Sequence, residues 1–391
     1  MKTQNRTTSV ELLRFLAAIG VMMFHFGSIY LNSDAYNPSV YVFKTMLDAG
    51  LRQNRVYTPY AYVFVEFFFM TGGFLMLKYL DERKDPLRPG AYILHKVRSF
   101  YSIFILAFCA QFIFYIIINH IHGIAGFFDA LMHFKWEALL LHCTGFLKDP
   151  SFNVDYLLGQ DWYLSALVLA LVVVYPLALY YRKFYDRLFA PWMTILLYAV
   201  LLQTYGTLNV GSEYLAFISV AIIRGVAGLC AGSLAYTIFC RLREKSLKAS
   251  GLRVLSVIDI LLWLSIPVLL APALFTSDED ILFYILILGG IIVLGFWDKT
   301  PWSHFLNTHC TRLFSYLGGI SLYLYLLHWT VMTAMSQYIP QLSPPLAIVL
   351  FFGITFGLSA LLKYFDRKRK SAVPVAVIAA GLLCIALAAA L

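Results

Sequence analysis

Five residues with chemically useful side chains lie in long apolar segments of this sequence: Arg14, His25, Glu66, Arg224 and His328. Ionisable groups are costly to place in lipid, so within membrane-spanning segments they normally face a protein-lined cavity. An imidazole can take a proton from a hydroxyl group, a carboxylate can orient that imidazole, and a guanidinium can bind an anion or a developing oxyanion. Together these side chains predict a polar site for acid–base chemistry.

The spacing of Arg14 and His25 places both on one face of a helix. At 100° per residue, the eleven steps between them end about 20° past three full turns. Their separation along the axis is about 16 Å at a rise of 1.5 Å per residue. This arrangement suits an elongated cofactor with its phosphates near Arg14 and its reactive end near His25.

The depth of these residues in the membrane is a second indication that they form a site. Glu66 and Arg224 fall early in segments that run towards one side, whereas His25 and His328 fall past the middle of segments that run the other way. All four should therefore lie at a similar depth, which predicts one shared site. Two alternatives stay open: Glu66 and Arg224 form a purely structural ion pair, and His328 is an interhelical hydrogen-bond partner.

The segments that carry these residues predict an all-α polytopic membrane protein. The chain has 391 residues, of which 61% are hydrophobic and only 13% charged, and this composition excludes a soluble globular protein. A spanning helix needs roughly 20 apolar residues. Ten such runs fall near 9–30, 60–79, 99–119, 162–181, 192–209, 215–239, 254–275, 281–297, 314–338 and 345–363, and a probable eleventh covers 372–391. The more polar stretch 120–150 is expected to be interfacial or re-entrant.

Basic residues divide unevenly between the two sides that this topology defines. With the N-terminus in the cytoplasm, 24 of the 30 Lys and Arg residues fall on the inner side and five on the outer side. The positive-inside rule therefore predicts a multi-pass protein of the cytoplasmic (inner) membrane with a cytoplasmic N-terminus. The inner loop 78–98 concentrates six of these cations, which suits an anionic cofactor.

Other classes of function are disfavoured. The basic residues flank helices and form no stripe, so no nucleic-acid partner is expected. The six cysteines show no CxxC spacing, and the histidines of 120–142 are scattered, so we expect no metal site.

Six segments resemble the bacterial acyltransferase-3 family and occur in that family's order. ELLRFLAAIGVMMFHF resembles its first helix, with an Arg and a His separated by ten residues. VEFFFMTGGFLM, HKVRSFYSIF, QDWYLSALVLALVVVYPL, RGVAGLCAGSLAY and ISLYLYLLHWTVM are similar to later helices. Two positions depart from the family pattern: Gly72 replaces a small hydroxyl residue, and the proline usual after the basic residue is replaced near Tyr101.

The resemblance implies a membrane acyltransferase domain at 1–364, with a basic linker and an additional C-terminal helix at 365–391. No fused esterase-like (SGNH) domain is expected. The family transfers acyl groups from cytoplasmic acyl-CoA to sugars, so the expected partners are acetyl-CoA or another short acyl-CoA, a cell-envelope glycan or lipid-linked sugar, and membrane lipids. A homo-oligomer is possible.

The resemblance and the residue chemistry together give the candidate site. His25 and Glu66 are the predicted catalytic residues, with His25 as general base or acyl relay. Arg14, Lys96 and Arg98 are predicted to bind the phosphates of coenzyme A. The predicted substrate-binding residues are Asp161, Trp162, Tyr163, Arg224 and His328. The alternative is an exporter or flippase of a lipid-linked sugar or polysaccharide, which would carry out no covalent chemistry.

Overall fold

The fold was analysed on a computed structural model that describes residues 7–30, 60–142, 156–211, 213–270 and 281–368. Its α-helices are α1 (Thr8–His25), α2 (Phe64–Glu82), α3 (Pro89–Ile118), α4 (Gly123–His133), α5 (Lys135–Ala138), α6 (Trp162–Tyr180), α7 (Arg182–Phe184), α8 (Ala190–Tyr205), α9 (Val220–Glu244), α10 (Ala249–Leu270), α11 (Ile281–Trp297), α12 (Pro301–Thr308), α13 (Thr311–Tyr338) and α14 (Pro344–Lys368). π-Helical turns follow α1 at Phe26–Tyr30 and α7 at Tyr185–Phe189, and a 3₁₀ turn, Ala61–Val63, precedes α2.

Within the described residues, nine helices are long and apolar enough to cross a membrane. The number becomes ten if α11 and α12, which are bent by 67° relative to each other, count as one span. The prediction of an all-α polytopic membrane protein is thus confirmed. The predicted eleventh helix at 372–391 lies outside the described residues.

The centre of the bundle is α9, which packs against α2, α6, α8 and α11. A second pair, α1 and α13, packs alongside, and α13 also contacts α3 and α14. Peripheral helices expose large apolar side chains, including Leu286 (71% exposed), Ile195 (68%) and Val349 (66%). Such side chains are suited to contact with lipid tails.

Glycines allow α2 and α9 to approach backbone to backbone. A Cβ atom built on Gly73 would lie 2.0 Å from the carbonyl oxygen of Leu229, and one on Gly232 would lie 1.8 Å from that of Met70. Any side chain at either position would therefore push the helices apart. Small residues at membrane helix interfaces serve this purpose generally.

One end of the bundle, here named the basic side, is formed by the start of α1, the loop 83–88 and the turn at 181–182. Arg182 ties this turn to the end of α2, because its Nη1 atom donates a hydrogen bond to Asp81 at 2.8 Å. Its Nε atom donates to Asp186, in the π-helical turn that follows, at 2.6 Å. The backbone N–H of Ser9 donates to Asn307 at 2.8 Å and so fixes the start of α1 against α12.

The opposite end carries α4 and α5, which lie in the predicted interfacial stretch. Ile124, Phe128 and Met132 repeat every four residues along α4 and are 55–58% exposed. A short helix with an exposed apolar stripe is typical of a segment that lies in the membrane interface. A two-stranded hairpin on this side, β1 (Tyr214–Leu215) and β2 (Ile218–Ser219), pairs Tyr214 with Ser219 and leads the chain into α9.

Candidate active site

Two histidines from different helices form the centre of the site. Nδ1 of His25, at the end of α1, lies 2.9 Å from Nε2 of His328 in α13. The two rings are almost parallel, with an interplanar angle of 5°. The pairing follows from the packing of α1 against α13.

The hydrogen bonds of His328 fix its tautomer. Its Nδ1 atom lies 2.6 Å from the carbonyl oxygen of Tyr325, which can only accept, so Nδ1 carries the hydrogen. In a neutral ring Nε2 is then the acceptor, and Nδ1 of His25 must donate to it. The other nitrogen of a neutral His25, Nε2, is therefore the basic one.

Local structure positions His25 at a break in its helix. The α-helical pattern ends at His25 and continues as the π-helical turn Phe26–Tyr30. Single π-helical turns are rare in proteins, but those that are found often lie at functional sites. Around the imidazole, the rings of Trp329 and Phe24 lie edge-on at centroid distances of 5.3 and 5.5 Å.

Glu66 and Arg224 form a buried ion pair beside the histidines. Nε of Arg224 donates to Glu66 Oε1 at 2.8 Å, and the two side chains are 2% and 0% exposed. The hydroxyl of Tyr198 donates to the other carboxylate oxygen of Glu66 at 2.5 Å. The sequence predicts that Glu66 orients His25. The hydrogen bonds found for Glu66 instead hold Arg224, while His328 bonds to Nδ1 of His25.

Arg224 retains donor capacity after these contacts. Its Nη1 atom donates to the carbonyl oxygen of Val210 at 2.6 Å, and its guanidinium lies 4.9 Å from the ring centroid of Trp162. Within the described structure Nη2 is buried and has no hydrogen-bond partner. A buried cationic donor of this kind suits a carbonyl oxygen or an oxyanion.

A cavity of about 90 Å³ joins these groups. Its lining includes His25, Tyr62, Trp162, Asn209, Arg224 and Tyr325. The four ionisable groups predicted to share one site are thus brought together: His25 and Arg224 line the cavity, His328 bonds to His25, and Glu66 bonds to Arg224.

The predicted cofactor residues lie towards the basic side. Arg14 is one-third exposed and forms an ion pair of 3.2 Å with Glu11. Lys96 extends over the ring of Tyr92 and is close enough to Arg14 for their charges to repel. Arg98 is two residues further along α3, about 200° around the helix, and is exposed. The structure thus brings Lys96 towards Arg14 but turns Arg98 to another face.

The three predicted residues at the start of α6 separate into different environments. Trp162 lines the cavity. Tyr163 packs against Phe69, with ring centroids 4.7 Å apart. Asp161 is fully buried and binds Nδ1 of His142 at 2.5 Å. Its contacts thus differ from those expected of a sugar-binding residue.

Asp161 belongs to a cluster outside the spanning helices. Burial and repulsion from Asp161 raise the pKa of Glu137 to about 9, although hydrogen bonds from the N–H groups of Leu157 and Leu158 oppose the shift. Burial also raises the pKa of Asp161, although His142 opposes that shift. This cluster was not predicted as a unit.

Comparison with known proteins identifies the family. A family model described as an acyltransferase domain, acyltransferase family 3, matches residues 7–364. The chain belongs to the acyltransferase-3 family. No curated protein and no solved structure matches it. The family carries membrane acyltransferase activity, in agreement with the predicted resemblance.

The structure of this acyltransferase also shows residues that sequence reasoning did not select. Tyr198 completes the hydrogen bonding of Glu66. Gln160 donates to the carbonyl oxygen of Leu326 at 3.1 Å, and the hydroxyl of Tyr325 donates back to the carbonyl oxygen of Gln160 at 2.6 Å. A polar Gln-Asp pair directly before an apolar helix was the only sequence signal for this contact.

Proposed function

We propose that this acyltransferase moves a short acyl group, with acetyl as the first candidate, from cytoplasmic acyl-CoA to a hydroxyl group of a cell-envelope or extracellular glycan. The observation that carries the proposal is the His25–His328 pair at the cavity. Its hydrogen bonding leaves Nε2 of a neutral His25 as the basic nitrogen. A base of this kind is what attack by a sugar hydroxyl requires.

In the proposed step, the acceptor oxygen attacks the thioester carbon and its proton passes to Nε2 of His25. The imidazolium that forms is stabilised through its Nδ1–H bond to His328. Nη2 of Arg224 is the candidate donor to the tetrahedral oxyanion. Collapse of the intermediate breaks the C–S bond, and the thiolate leaves and takes up the proton as free coenzyme A.

On the basic side, Arg14 and Lys96 are proposed to meet the phosphates of coenzyme A. Arg14, which also pairs with Glu11, and Lys96 are close enough for their charges to repel, and two neighbouring cations suit a ligand with several negative charges. The axial distance of about 16 Å between Arg14 and His25 lets a cofactor lie along α1. Arg98 is proposed to act only as part of the wider basic surface, since it faces away from this pair.

In an alternative mechanism, the acyl group is first bound covalently to the enzyme. Nε2 of His25 would attack the thioester carbon, and the C–S bond would break with release of the coenzyme A thiolate, leaving an acyl-imidazole. The acceptor hydroxyl would then take the acyl group and restore neutral His25, and the proton that the hydroxyl loses balances the one that the thiolate takes up. This version lets donor and acceptor occupy the site in turn. Rapid quenching after mixing with labelled acetyl-CoA alone separates the two courses, because only the second leaves label on His25.

The test of the proposal is purified protein with labelled acetyl-CoA and a cell-envelope glycan. We expect free thiol and labelled glycan from the wild type and neither from His25→Ala. His304→Gln, which removes an exposed histidine from α12, is the matched control and should keep wild-type activity. Glycan acetylation by His25→Ala at the wild-type rate would contradict the assignment of His25.

The alternative hypothesis, an exporter or flippase of a lipid-linked sugar or polysaccharide, predicts a different result in the same experiment. A flippase would release no thiol from acetyl-CoA and would add no mass to the glycan. Transport of labelled lipid-linked sugar into the lumen of inverted vesicles, without acetyl-CoA, would support that alternative.

A further inference from the structure

Three side chains on the side opposite the basic side converge in a small buried cluster. Glu137 lies in α5, His142 follows that helix, and Asp161 directly precedes α6. One potential ligand atom from each of them lies within 4.8 Å of the others. Glu137 and Asp161 are fully buried, and the side chain of His142 is 12% exposed.

The protein groups around this cluster compensate its charges only in part, through His142 and through a proton that Glu137 can share with Asp161. In the described structure neither carboxylate forms an ion pair with a Lys or Arg side chain. Glu137 accepts backbone N–H groups of Leu157 and Leu158, each at 2.7 Å, and Asp161 Oδ1 meets His142. Asp161 Oδ2 is buried and accepts no hydrogen bond from any described group. A buried carboxylate oxygen without a partner is costly.

We propose that Glu137, His142 and Asp161 bind one divalent transition-metal ion. A dication would balance two carboxylates, and its coordination would use the acceptor oxygen that is otherwise unsatisfied. One imidazole nitrogen and two carboxylate oxygens are ligands typical of Zn²⁺ and Mn²⁺, whereas Ca²⁺ and Mg²⁺ prefer all-oxygen sites. The N–H groups of Leu157 and Leu158 would orient the Glu137 ligand, as hydrogen bonds around metal sites commonly do.

Because of where the cluster lies, a bound ion would also support residues of the active site. Asp161 is next to Gln160, whose amide donates to the carbonyl oxygen of Leu326, while the carbonyl oxygen of Gln160 accepts from the hydroxyl of Tyr325. Tyr325 in turn accepts the Nδ1–H of His328. An ion at Asp161 would therefore hold the chain segment that supports the His25–His328 pair.

Sequence reasoning predicted no metal site because these residues have no recognisable ligand spacing. The site forms only when α5 and the residues before α6 meet. The proposal is independent of the identity of the acyl donor and acceptor, so its failure would leave the proposed reaction untouched.

The test is metal content and thermal unfolding of the purified full-length protein in detergent. After loading with Zn²⁺ and removal of unbound metal, we expect about one ion per chain by mass spectrometry, as for other buried three-ligand sites. His142→Gln and Asp161→Asn should each bind Zn²⁺ at least about tenfold more weakly. His122→Gln, which removes an exposed histidine before α4, is the matched control and should bind as the wild type does.

Wild-type protein provides a readout that does not depend on the folding of any variant. A chelator should lower its unfolding temperature, Zn²⁺ should restore it, and Co²⁺ should give visible absorption bands of nitrogen–oxygen coordination. If the wild type retains no zinc and its unfolding temperature is unchanged, the cluster holds only a shared proton and the proposal is wrong. The proposal is equally wrong if His142→Gln binds zinc as tightly as the wild type, because the ion would then be held without His142.

Discussion

The direction of the hydrogen bond between His25 and His328 gives the two histidines different roles. His328 accepts it because its own Nδ1 is committed to the carbonyl oxygen of Tyr325. His328 is therefore a positioning residue in the proposed reaction, and it acts on the substrate only through His25. Its contribution should show in kcat and leave the KM for acyl-CoA nearly unchanged.

Substitution of His328 tests this division. His328→Leu removes the acceptor and should lower kcat by about 10²-fold or more, in the range of positioned acid–base groups. His328→Gln should lose less, because its side-chain oxygen can accept the same hydrogen. The measurement is steady-state acetyl transfer, with thermal unfolding to show that both variants fold. An unchanged kcat in His328→Leu would contradict the assigned role.

The ion pair between Glu66 and Arg224 makes a separate prediction. Glu66→Gln leaves the buried guanidinium without its counter-charge and should destabilise the protein by about 3–5 kcal/mol. Adding Arg224→Gln should recover part of that loss, since it removes the unpaired charge. Unfolding in detergent measures both effects.

The same variants distinguish a structural pair from a functional one. If Arg224 contacts the oxyanion, the double variant should be stable yet have much lower specific activity. Full activity in the folded double variant would show that the pair acts only in stability, which is the alternative left open by the sequence.

At the scale of the helices, glycines set the distance between α2 and α9. Gly73→Ala and Gly232→Ala each place a methyl group against opposing backbone and should destabilise the protein by about 1–3 kcal/mol. Gly353→Ala in α14 is the matched control, because its added methyl group would meet no side chain or opposing backbone of the described residues within 4 Å. It should be neutral or stabilising by up to about 1 kcal/mol, given the helix propensity of alanine. Equal unfolding temperatures for all three variants would contradict this account.

Helical periodicity and charge were enough to predict the helices and the shared depth of the ionisable groups. Depth fixes the height of a residue in the bundle but not its neighbours across the bundle. Sequence reasoning therefore favours Glu66 as the residue that orients His25, whereas the packing of α1 against α13 brings His328 to Nδ1 of His25. The cluster at Glu137 was missed for a related reason, because its members come from two connecting segments that carry no periodic pattern.

At the scale of the whole molecule, the asymmetry of basic residues predicts the orientation. The loop 83–88 should face the cytoplasm, and the segment before α4 should lie on the opposite side. Single cysteines introduced at Asp85 and His122 can be compared with a membrane-impermeant thiol reagent, after the native cysteines have been replaced. Intact cells should label only the cysteine at 122. Labelling at 85 would mean that the proposed cytoplasmic donor site faces the wrong compartment.

The glycine contacts between α2 and α9 also restrict how the protein can move. Two backbones in direct contact have no intervening side chains whose rotamers could change and let one helix slide past the other. Glu66 and Arg224 lie on these two helices and should travel as one rigid body. An opening that admits a bulky glycan is then expected at another wall of the cavity, to which α1 contributes Val21, Phe24 and His25 and α13 contributes Tyr325. Passage of the acceptor and alignment of the two imidazoles would then depend on the same motion.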